Sequence, residues 1–165
     1  MITHIDEIVN NLFVADWYSS DDIPLLKQHK ITCIITVETT EKSERILAQY
    51  RAHGITHYQI KIYDHPSEDI RPYLEPSFNC IRDHIARGGK VLVHCYAGVS
   101  RSISIILWYI IKLLYLNHLT GHLSPSEVVN YSLCLCRRHR PIANPNPGFM
   151  LQLVQAAEEL AAINR

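Results

Sequence analysis

The segment 90–116 constrains the fold of this chain more than any other stretch of its sequence. It begins with a short β-branched apolar run, 90–93, which is typical of an interior parallel strand. From Ser100 to Leu116 the sequence has the pattern of a long apolar helix. Because only a short loop separates the two, the pair predicts a sheet that is covered by helices.

The loop between this strand and this helix has the composition of an anion site that contains a nucleophile. Cys95 and Arg101 bracket it, and the residues between them are Tyr96, Ala97, Gly98, Val99 and Ser100. Backbone N–H groups of such a loop face a concavity at a helix N-terminus, where the helix dipole favours an anion and also a thiolate. The arginine adds two parallel donors that match two phosphate oxygens. We therefore predict that the loop and Arg101 bind one phosphoryl group beside Cys95.

Strands alternate with helices along the rest of the chain. Strands are predicted over 5–14, with a tight turn at 10–11, over Ile31–Val37 and over Ile55–Tyr63. Helices are predicted to begin at four start signals, which are 19–22, Thr39 or Thr40, Ser67 or Pro72, and Ser124. A last helix is predicted over 148–163. This order predicts an α/β fold with a single domain over residues 1–165. Its centre is a twisted, mostly parallel sheet of four to five strands, with helices on both faces.

Asp64 is the candidate for a general acid. It follows the predicted strand Ile55–Tyr63, and reactive groups of parallel α/β sheets gather at the carboxyl ends of the strands. A thiolate that attacks a phosphate ester needs an acid to protonate the departing oxygen. A turn-forming aspartate ahead of Pro66 explains the same residue by spacing alone. Asp69 and Asp83 are competitors, but both fall within the next predicted helix or its first turn.

Composition narrows the location and the partners. Lys and Arg balance Asp and Glu at 16 each, which disfavours a nucleic-acid binder that depends on net charge. The N-terminal residues lack the basic-then-apolar pattern of a signal peptide, and the apolar segment 103–116 is too short to span a membrane. We therefore expect a cytoplasmic protein that can also occur in the nucleus, without membrane or nucleic-acid partners, and a monomer or a weak homodimer.

The segment His94–Ser102 resembles the HCxxGxxR[ST] signature of cysteine-based protein phosphatases, and more narrowly the HCxAGVSRS form of dual-specificity phosphatases. The resemblance extends further along the chain. Residues 62–65 match the place where that family carries its general acid, and 140–149 resembles its C-terminal R-P-x-x-x-P-N-x-G-F segment. The small atypical members without a kinase-docking domain are the best match, because strand signals begin within the first fifteen residues.

The resemblance implies a role for each residue of the loop. Cys95 would form a phosphocysteine intermediate, while Arg101 and the amides of residues 96–101 would bind the equatorial oxygens. Asp64 would protonate the leaving group and then deprotonate water. Ser102 would donate to the sulfur as it departs, and His94 would order the loop.

The resemblance also gives a role to Asn146, which would tie the C-terminal loop to the wall of the active site.

The resemblance further implies a substrate class and a set of alternatives. The expected substrate is a phosphorylated protein, on tyrosine and on serine or threonine, with no cofactor and no metal. Phosphoinositide phosphatases of this superfamily place lysines inside the loop, and residues 96–100 contain none. RNA 5′-triphosphatases of similar fold carry a different loop, which weighs against that alternative. A phosphoprotein adaptor without activity would typically lack the cysteine, and Cys95 is present.

The histidines outside the signature show no ligand spacing, and the sequence does not indicate whether Cys33, Cys80, Cys134 or Cys136 lies close enough to Cys95 to form a disulfide. His57 and His84 are among seven histidines that we interpret as surface residues. Cys134 and Cys136 lie on a predicted helix, which directs their thiols to different faces and makes them a poor metal pair.

Overall fold

A five-stranded sheet forms the centre of the protein in a computed structural model that describes residues 2–164. The strands are β1 (Asp6–Val9), β2 (Leu12–Ala15), β3 (Cys33–Val37), β4 (Thr56–Ile60) and β5 (Val91–His94). Their order across the sheet is β1-β2-β5-β3-β4, and only β1 is antiparallel to its neighbour. The predicted α/β class with a mostly parallel sheet is confirmed.

Helices cover both faces of the sheet. They are α1 (Ile23–Gln28), α2 (Glu44–Ala52), α3 (Arg71–Ala86), α4 (Arg101–Leu116), α5 (Pro125–Arg137) and α6 (Pro147–Ile163). Buried apolar side chains form two clusters, one on each face of the sheet. The smaller cluster joins its face to α1 and α2, and the larger cluster joins the other face to α3–α6. Helix α4 lies in the middle of the larger cluster, against α3, α5, α6 and β5, which explains why it is apolar nearly all round.

Local start signals explain where most helices begin. The Asp22 side chain accepts from the Leu25 N–H, and Ser124 and Glu127 form a capping box at α5. The predicted cap of α2 at Thr39 or Thr40 is wrong, since Ser43 caps that helix. Thr39 is occupied elsewhere, because its amide and its hydroxyl both donate to the Glu38 carboxylate.

Strand β4 is shorter than its sequence pattern predicts. It pairs with β3 only as far as the Val37–Ile60 register, and the Glu38 N–H donates to the Ile60 carbonyl just beyond. Because β3 ends there, the residues up to Tyr63 have no strand partner among the described residues and belong to a connection that leads to Asp64. Within residues 2–164, no helix is both long enough and apolar enough to cross a membrane.

Candidate active site

The loop between β5 and α4 is folded so that its amides face inward. Its carbonyls are bound from outside: Arg140 donates from Nη2 to the Ala97 oxygen and from Nε to the Gly98 oxygen, both at 3.1 Å. The Asn144 amide donates to the Val99 oxygen at 2.8 Å. In a trans peptide the C=O and the following N–H point in opposite directions. The amides of residues 98–100 therefore point into the concavity, as an oxyanion requires.

Gly98 is the one loop position that no other residue can occupy without strain. Its φ is +66°, a left-handed conformation that glycine adopts at low cost. A Cβ there would lie 2.5 Å from Nη2 of Arg140 and 2.7 Å from the Ala15 carbonyl oxygen. The tight loop therefore depends both on the backbone freedom of Gly98 and on its missing side chain.

Cys95 lies at the floor of this loop, 2% exposed. Its sulfur accepts from the Gly98 N–H at 3.2 Å and lies 3.2 Å from the Ser102 hydroxyl, which comes from the first turn of α4. Ser102 is fully buried. The sulfur is therefore within hydrogen-bonding distance of a backbone amide and of a buried hydroxyl.

Arg101 is fixed on one side and unpaired on the other. Its Nη1 donates to the Glu38 carboxylate at 2.7 Å and to the Ile62 carbonyl at 3.1 Å. Its Nε is buried and has no hydrogen-bond partner among residues 2–164. Burial alone would raise the pKa of Glu38, but the hydrogen bonds from Arg101 and Thr39 outweigh it, so the pKa lies below its usual value and the carboxylate remains charged.

A chain of hydrogen bonds across three strands sets the tautomer of His94. Its Nδ1 lies 3.0 Å from the Cys95 carbonyl, which can only accept, so the proton is on Nδ1 and Nε2 is an acceptor. The Thr36 hydroxyl, 2.7 Å away, donates to that nitrogen and accepts from Nε2 of His57 at 2.8 Å. Burial and the nearby charge of Lys42 hold the pKa of His94 well below its usual value. The imidazole is therefore neutral and serves as a fixed support of the loop.

Asp64 lies at the exposed edge of the site and is bound to the start of α6. The side-chain amide of Asn146 donates to its Oδ1 at 3.0 Å. The Asn146 backbone amide donates to Ser100 Oγ at 2.9 Å, so one residue, Asn146, connects the segment that carries Asp64 to the loop between β5 and α4. The two segments also approach closely, because a Cβ at Gly148 would lie 1.9 Å from the Pro66 carbonyl oxygen.

The structure thus brings together the residues that the sequence singles out. Cys95, Ser102, His94 and Arg101 meet at the carboxyl end of β5, and Asn146 links Asp64 to them. Of the five loop residues, Gly98 and Ser100 are buried, Val99 is half-buried, and the side chains of Tyr96 and Ala97 are exposed.

Sequence reasoning misses three contributors to the site. Glu38 is the first residue beyond β3, and its place at a strand end is the signal that points to it. Thr36 gives no such signal, because it looks like one more residue of a buried strand. Arg140 belongs to a quoted motif, but its bonds to the loop carbonyls appear only in the structure. The interpretation of His57 as a surface residue is also wrong, since it is half-buried and bound to Thr36.

Comparison with known proteins gives a consistent picture. Residues 12–159 match the model of the family described as dual specificity phosphatase, catalytic domain. Among curated relatives, the dual specificity protein phosphatase MPK-4 of Drosophila melanogaster is 35% identical over 90% of this chain, which covers 35% of that protein. The dual specificity protein phosphatase 1B of Arabidopsis thaliana is 32% identical, with 92% of this chain and 80% of that protein covered. The chain therefore spans only about a third of the first relative.

Solved structures share the whole fold. The Yvh1 phosphatase domain from Chaetomium thermophilum has a TM-score of 0.82 and 31% identity, covering 98% of this chain and 99% of that one. A structure of a variant of human DUSP28 has a TM-score of 0.79 at 25% identity, with 98% of each chain covered. The structure titled human tyrosine phosphatase-like serine/threonine/tyrosine-interacting protein has a TM-score of 0.76 at 27% identity, covering 96% of this chain and 97% of that one. These similarities confirm the resemblance that the loop signature indicates.

Proposed function

The chain belongs to the family of dual specificity phosphatase catalytic domains, and on that premise we propose that it hydrolyses phosphotyrosine and phosphoserine or phosphothreonine in proteins through a phosphocysteine on Cys95. Asp64 is the general acid and base, and Arg101 binds the phosphoryl group. No metal takes part in these steps, because the loop amides and the guanidinium supply the positive charge.

The observation that carries this proposal is the buried Nε of Arg101, which has no hydrogen-bond partner in the part of the chain that the structure describes. An unpartnered donor in a buried position costs about 1–3 kcal/mol, and more when the group is charged. Nε and Nη2 form the edge of the guanidinium that binds two oxygens in parallel. Glu38 and the Ile62 carbonyl occupy Nη1, which leaves that edge for an anion. A phosphoryl group held between this edge and the inward amides satisfies both sets of donors.

The first chemical step transfers the phosphoryl group to sulfur. The Cys95 thiolate attacks phosphorus, and the bond between phosphorus and the ester oxygen breaks. The departing oxygen takes the proton of the Asp64 carboxylic acid and leaves as an alcohol or a phenol. Arg101 and the amides of the loop bind the equatorial oxygens, whose charge is greatest in the transition state.

The second step returns the enzyme to its starting state. The Asp64 carboxylate removes a proton from water, whose oxygen attacks phosphorus as the P–S bond breaks. The Ser102 hydroxyl, 3.2 Å from the sulfur, donates a hydrogen bond to the departing thiolate. Inorganic phosphate leaves, and Asp64 is protonated again for the next cycle.

His94 and Asn146 act as positioning residues. His94 holds the Cys95 carbonyl through Nδ1 and so fixes the start of the loop. Asn146 holds the Asp64 carboxylate at the edge of the site while its own backbone is bound to Ser100. Neither residue transfers a proton in this scheme.

The makeup of the loop supports a phosphoprotein substrate. None of the residues 96–100 is basic, so the loop has no side-chain cation for a second phosphate of an inositol lipid. The alternative of a phosphoinositide substrate has the support of fold alone: two structures of PTPMT1, one of them titled as a complex with PI(5)P, share the fold at 18% and 16% identity. Tyr96 of the loop and Tyr18 form an exposed aromatic pair, with hydroxyl oxygens 3.3 Å apart, which suits contact with a peptide.

Hydrolysis assays with matched substrates test the proposal. We expect turnover of an aryl phosphate and of peptides that carry phosphotyrosine, phosphoserine or phosphothreonine, and none of it with Cys95→Ser. Cys134→Ser, which changes an exposed cysteine on α5, is the control. Turnover confined to phosphatidylinositol phosphates or to triphosphorylated RNA would contradict the substrate class. Binding of phosphopeptides by an inert wild type would instead indicate an adaptor.

A further inference from the structure

A second group of reactive side chains lies at the opposite end of β3 from Glu38. Cys33 is the first residue of β3, while Cys80 and His84 lie one turn apart on α3. One ligand atom from each, two sulfurs and a ring nitrogen, lie within 4.8 Å of one another. None of the three belongs to the site around Cys95. We propose that Cys33, Cys80 and His84 bind a Zn²⁺ ion that links α3 to the sheet.

The chemistry of the three side chains fits zinc. Thiolate sulfur and imidazole nitrogen are its preferred ligands, and a Cys₂His set leaves one tetrahedral position for water. Two thiolates and a neutral imidazole balance the charge of a dication, so the bound ion adds no net charge to a largely buried place. Harder cations such as Mg²⁺ and Ca²⁺ prefer oxygen ligands, and this cluster offers none.

The geometry requires only a small adjustment. Zn–S bonds of about 2.3 Å and Zn–N bonds of about 2.0 Å place tetrahedral ligand atoms about 3.5–3.8 Å apart. The two sulfurs therefore have to approach each other by about 1.0 Å at most from the limit of 4.8 Å, and each sulfur has to approach the nitrogen by about 1.3 Å at most. Cys33 is fully buried and fixed in the strand, whereas Cys80 and His84 are half-buried. Their spacing of four residues places both on one face of α3, where side-chain rotation brings them together.

The surroundings provide access for the ion and support for the ligands. Cys80 lines a surface cavity of about 230 Å³, and His84 lines a second one of about 260 Å³. The Tyr58 hydroxyl lies 3.4 Å from Nε2 of His84, and the two rings meet edge to face. A partner of this kind orients a ligating histidine. His84, which is interpreted from the sequence as a surface residue without ligand spacing, is thus half-buried beside two cysteines.

Cobalt titration of the full chain tests the proposal. The parent protein carries Cys95→Ser so that the active-site thiol does not bind the metal, and it is kept reduced. We expect one Co²⁺ per chain, with thiolate-to-cobalt charge-transfer absorption and the visible bands of a tetrahedral ion. One equivalent of Zn²⁺ should displace it. Bound Zn²⁺ should also raise the midpoint of thermal unfolding of the protein.

Matched variants separate this site from adventitious binding. Cys80→Ser and His84→Gln, which change half-buried side chains, should weaken binding at least about 100-fold, since even the loss of a supporting partner costs 10–100-fold. Cys134→Ser and His53→Gln change an exposed cysteine and an exposed histidine outside the cluster and should bind cobalt like the parent.

Two results would overturn the proposal. One is a titration without thiolate-to-cobalt absorption, or with absorption that Cys80→Ser leaves intact. The other is a Cys33–Cys80 disulfide, identified by mass spectrometry after exposure to air, in a protein whose reduced form binds no metal. In that case the two thiols form a redox pair and His84 has no part in it.

Discussion

The two sides of the active site are held in opposite ways. The phosphate side, which contains Cys95, Arg101 and the loop amides, is built from buried groups with fixed partners such as Glu38 and Arg140. The acid side is the exposed Asp64 on an irregular connection, held by one hydrogen bond from Asn146. The contrast follows from the chemistry, because fixed donors must already be in place in the folded state while an acid must exchange protons with water.

This difference has a consequence for mutation. Changes on the phosphate side disturb buried charge and therefore affect stability as well as catalysis. Changes on the acid side remove one exposed contact and should affect catalysis alone. Substitutions at four positions separate the two sides, from the largest expected effect to the smallest.

Replacement of the guanidinium should have the largest effect. In Arg101→Lys a single ammonium can keep the Glu38 pair but cannot offer the parallel donors of Nε and Nη2. We expect kcat/KM on an aryl phosphate to fall by about 10³-fold or more, the range of arginines that stabilise phosphoryl transfer. A fall of less than tenfold would mean that the unpaired edge does not bind the phosphoryl group.

Removal of the acid should slow catalysis without loss of stability. For Asp64→Ala we expect turnover of substrates with poor leaving groups to fall by about 10²–10⁴-fold. A good leaving group, such as a nitrophenol, needs no proton and should lose much less. The free energy of unfolding should stay within about 0.5 kcal/mol of wild type, as for other exposed positions. An equal loss for both leaving groups would assign Asp64 another role, and an unchanged rate would move the acid to Asp69 or elsewhere.

The buried histidine should make stability depend on pH. The pKa of His94 is well below its usual value in the folded state, so below pH about 6.5 the unfolded chain binds a proton that the folded chain does not. Stability is therefore complete above that pH and decreases as the pH falls, by up to about 1.4 kcal/mol per pH unit for this group.

Urea unfolding between pH 7.5 and pH 5 measures this slope. The pKa of His57 and that of His84 are also lowered by burial, so wild type must be compared with His94→Asn, which should have a shallower slope. His53→Asn, at an exposed histidine, is the control for the substitution itself. Equal slopes in wild type and His94→Asn would show that the buried imidazole makes no such contribution.

Asn146 connects the two sides and should give the smallest effects. Asn146→Ala removes both its donor to Asp64 and its cap on the Phe149 amide, and the cap alone is worth about 1 kcal/mol. Asn146→Asp keeps the cap but places a carboxylate beside Asp64. We expect Asn146→Asp to keep wild-type stability while turnover of poor leaving groups falls about tenfold or less. Wild-type turnover in both variants would show that Asp64 needs no such tether.

Local sequence signals predict the framework of the fold. The run 91–93, the glycine at Gly98 and the cap at Ser124 each act through neighbours in the chain, so the strand, the loop and the helix start can be inferred without knowledge of the topology. The start of α2 is predicted wrongly because Thr39 donates to Glu38 instead of capping. Competition between two partners for one hydroxyl is not visible in the sequence.

Contacts between distant segments cannot be predicted in the same way. Glu38 contacts Arg101 because β3 lies beside β5, and the sequence order of the strands does not fix that neighbour. The same holds for Cys33 with Cys80 and His84, which meet only when α3 packs over β3. Asp64 is predicted from its place after a strand, but its attachment to Asn146 depends on the path of the chain 82 residues later.

The central claim is that Cys95 carries the phosphoryl group between the two steps. Acid quench during turnover of a phosphotyrosine peptide, followed by digestion and mass spectrometry, tests it directly. Ser102→Ala should increase the trapped amount, since the departing sulfur loses a donor. We predict one phosphoryl group on the peptide that contains Cys95, and a phosphoryl group found on another side chain, or none on Cys95 in an active enzyme, would contradict the account.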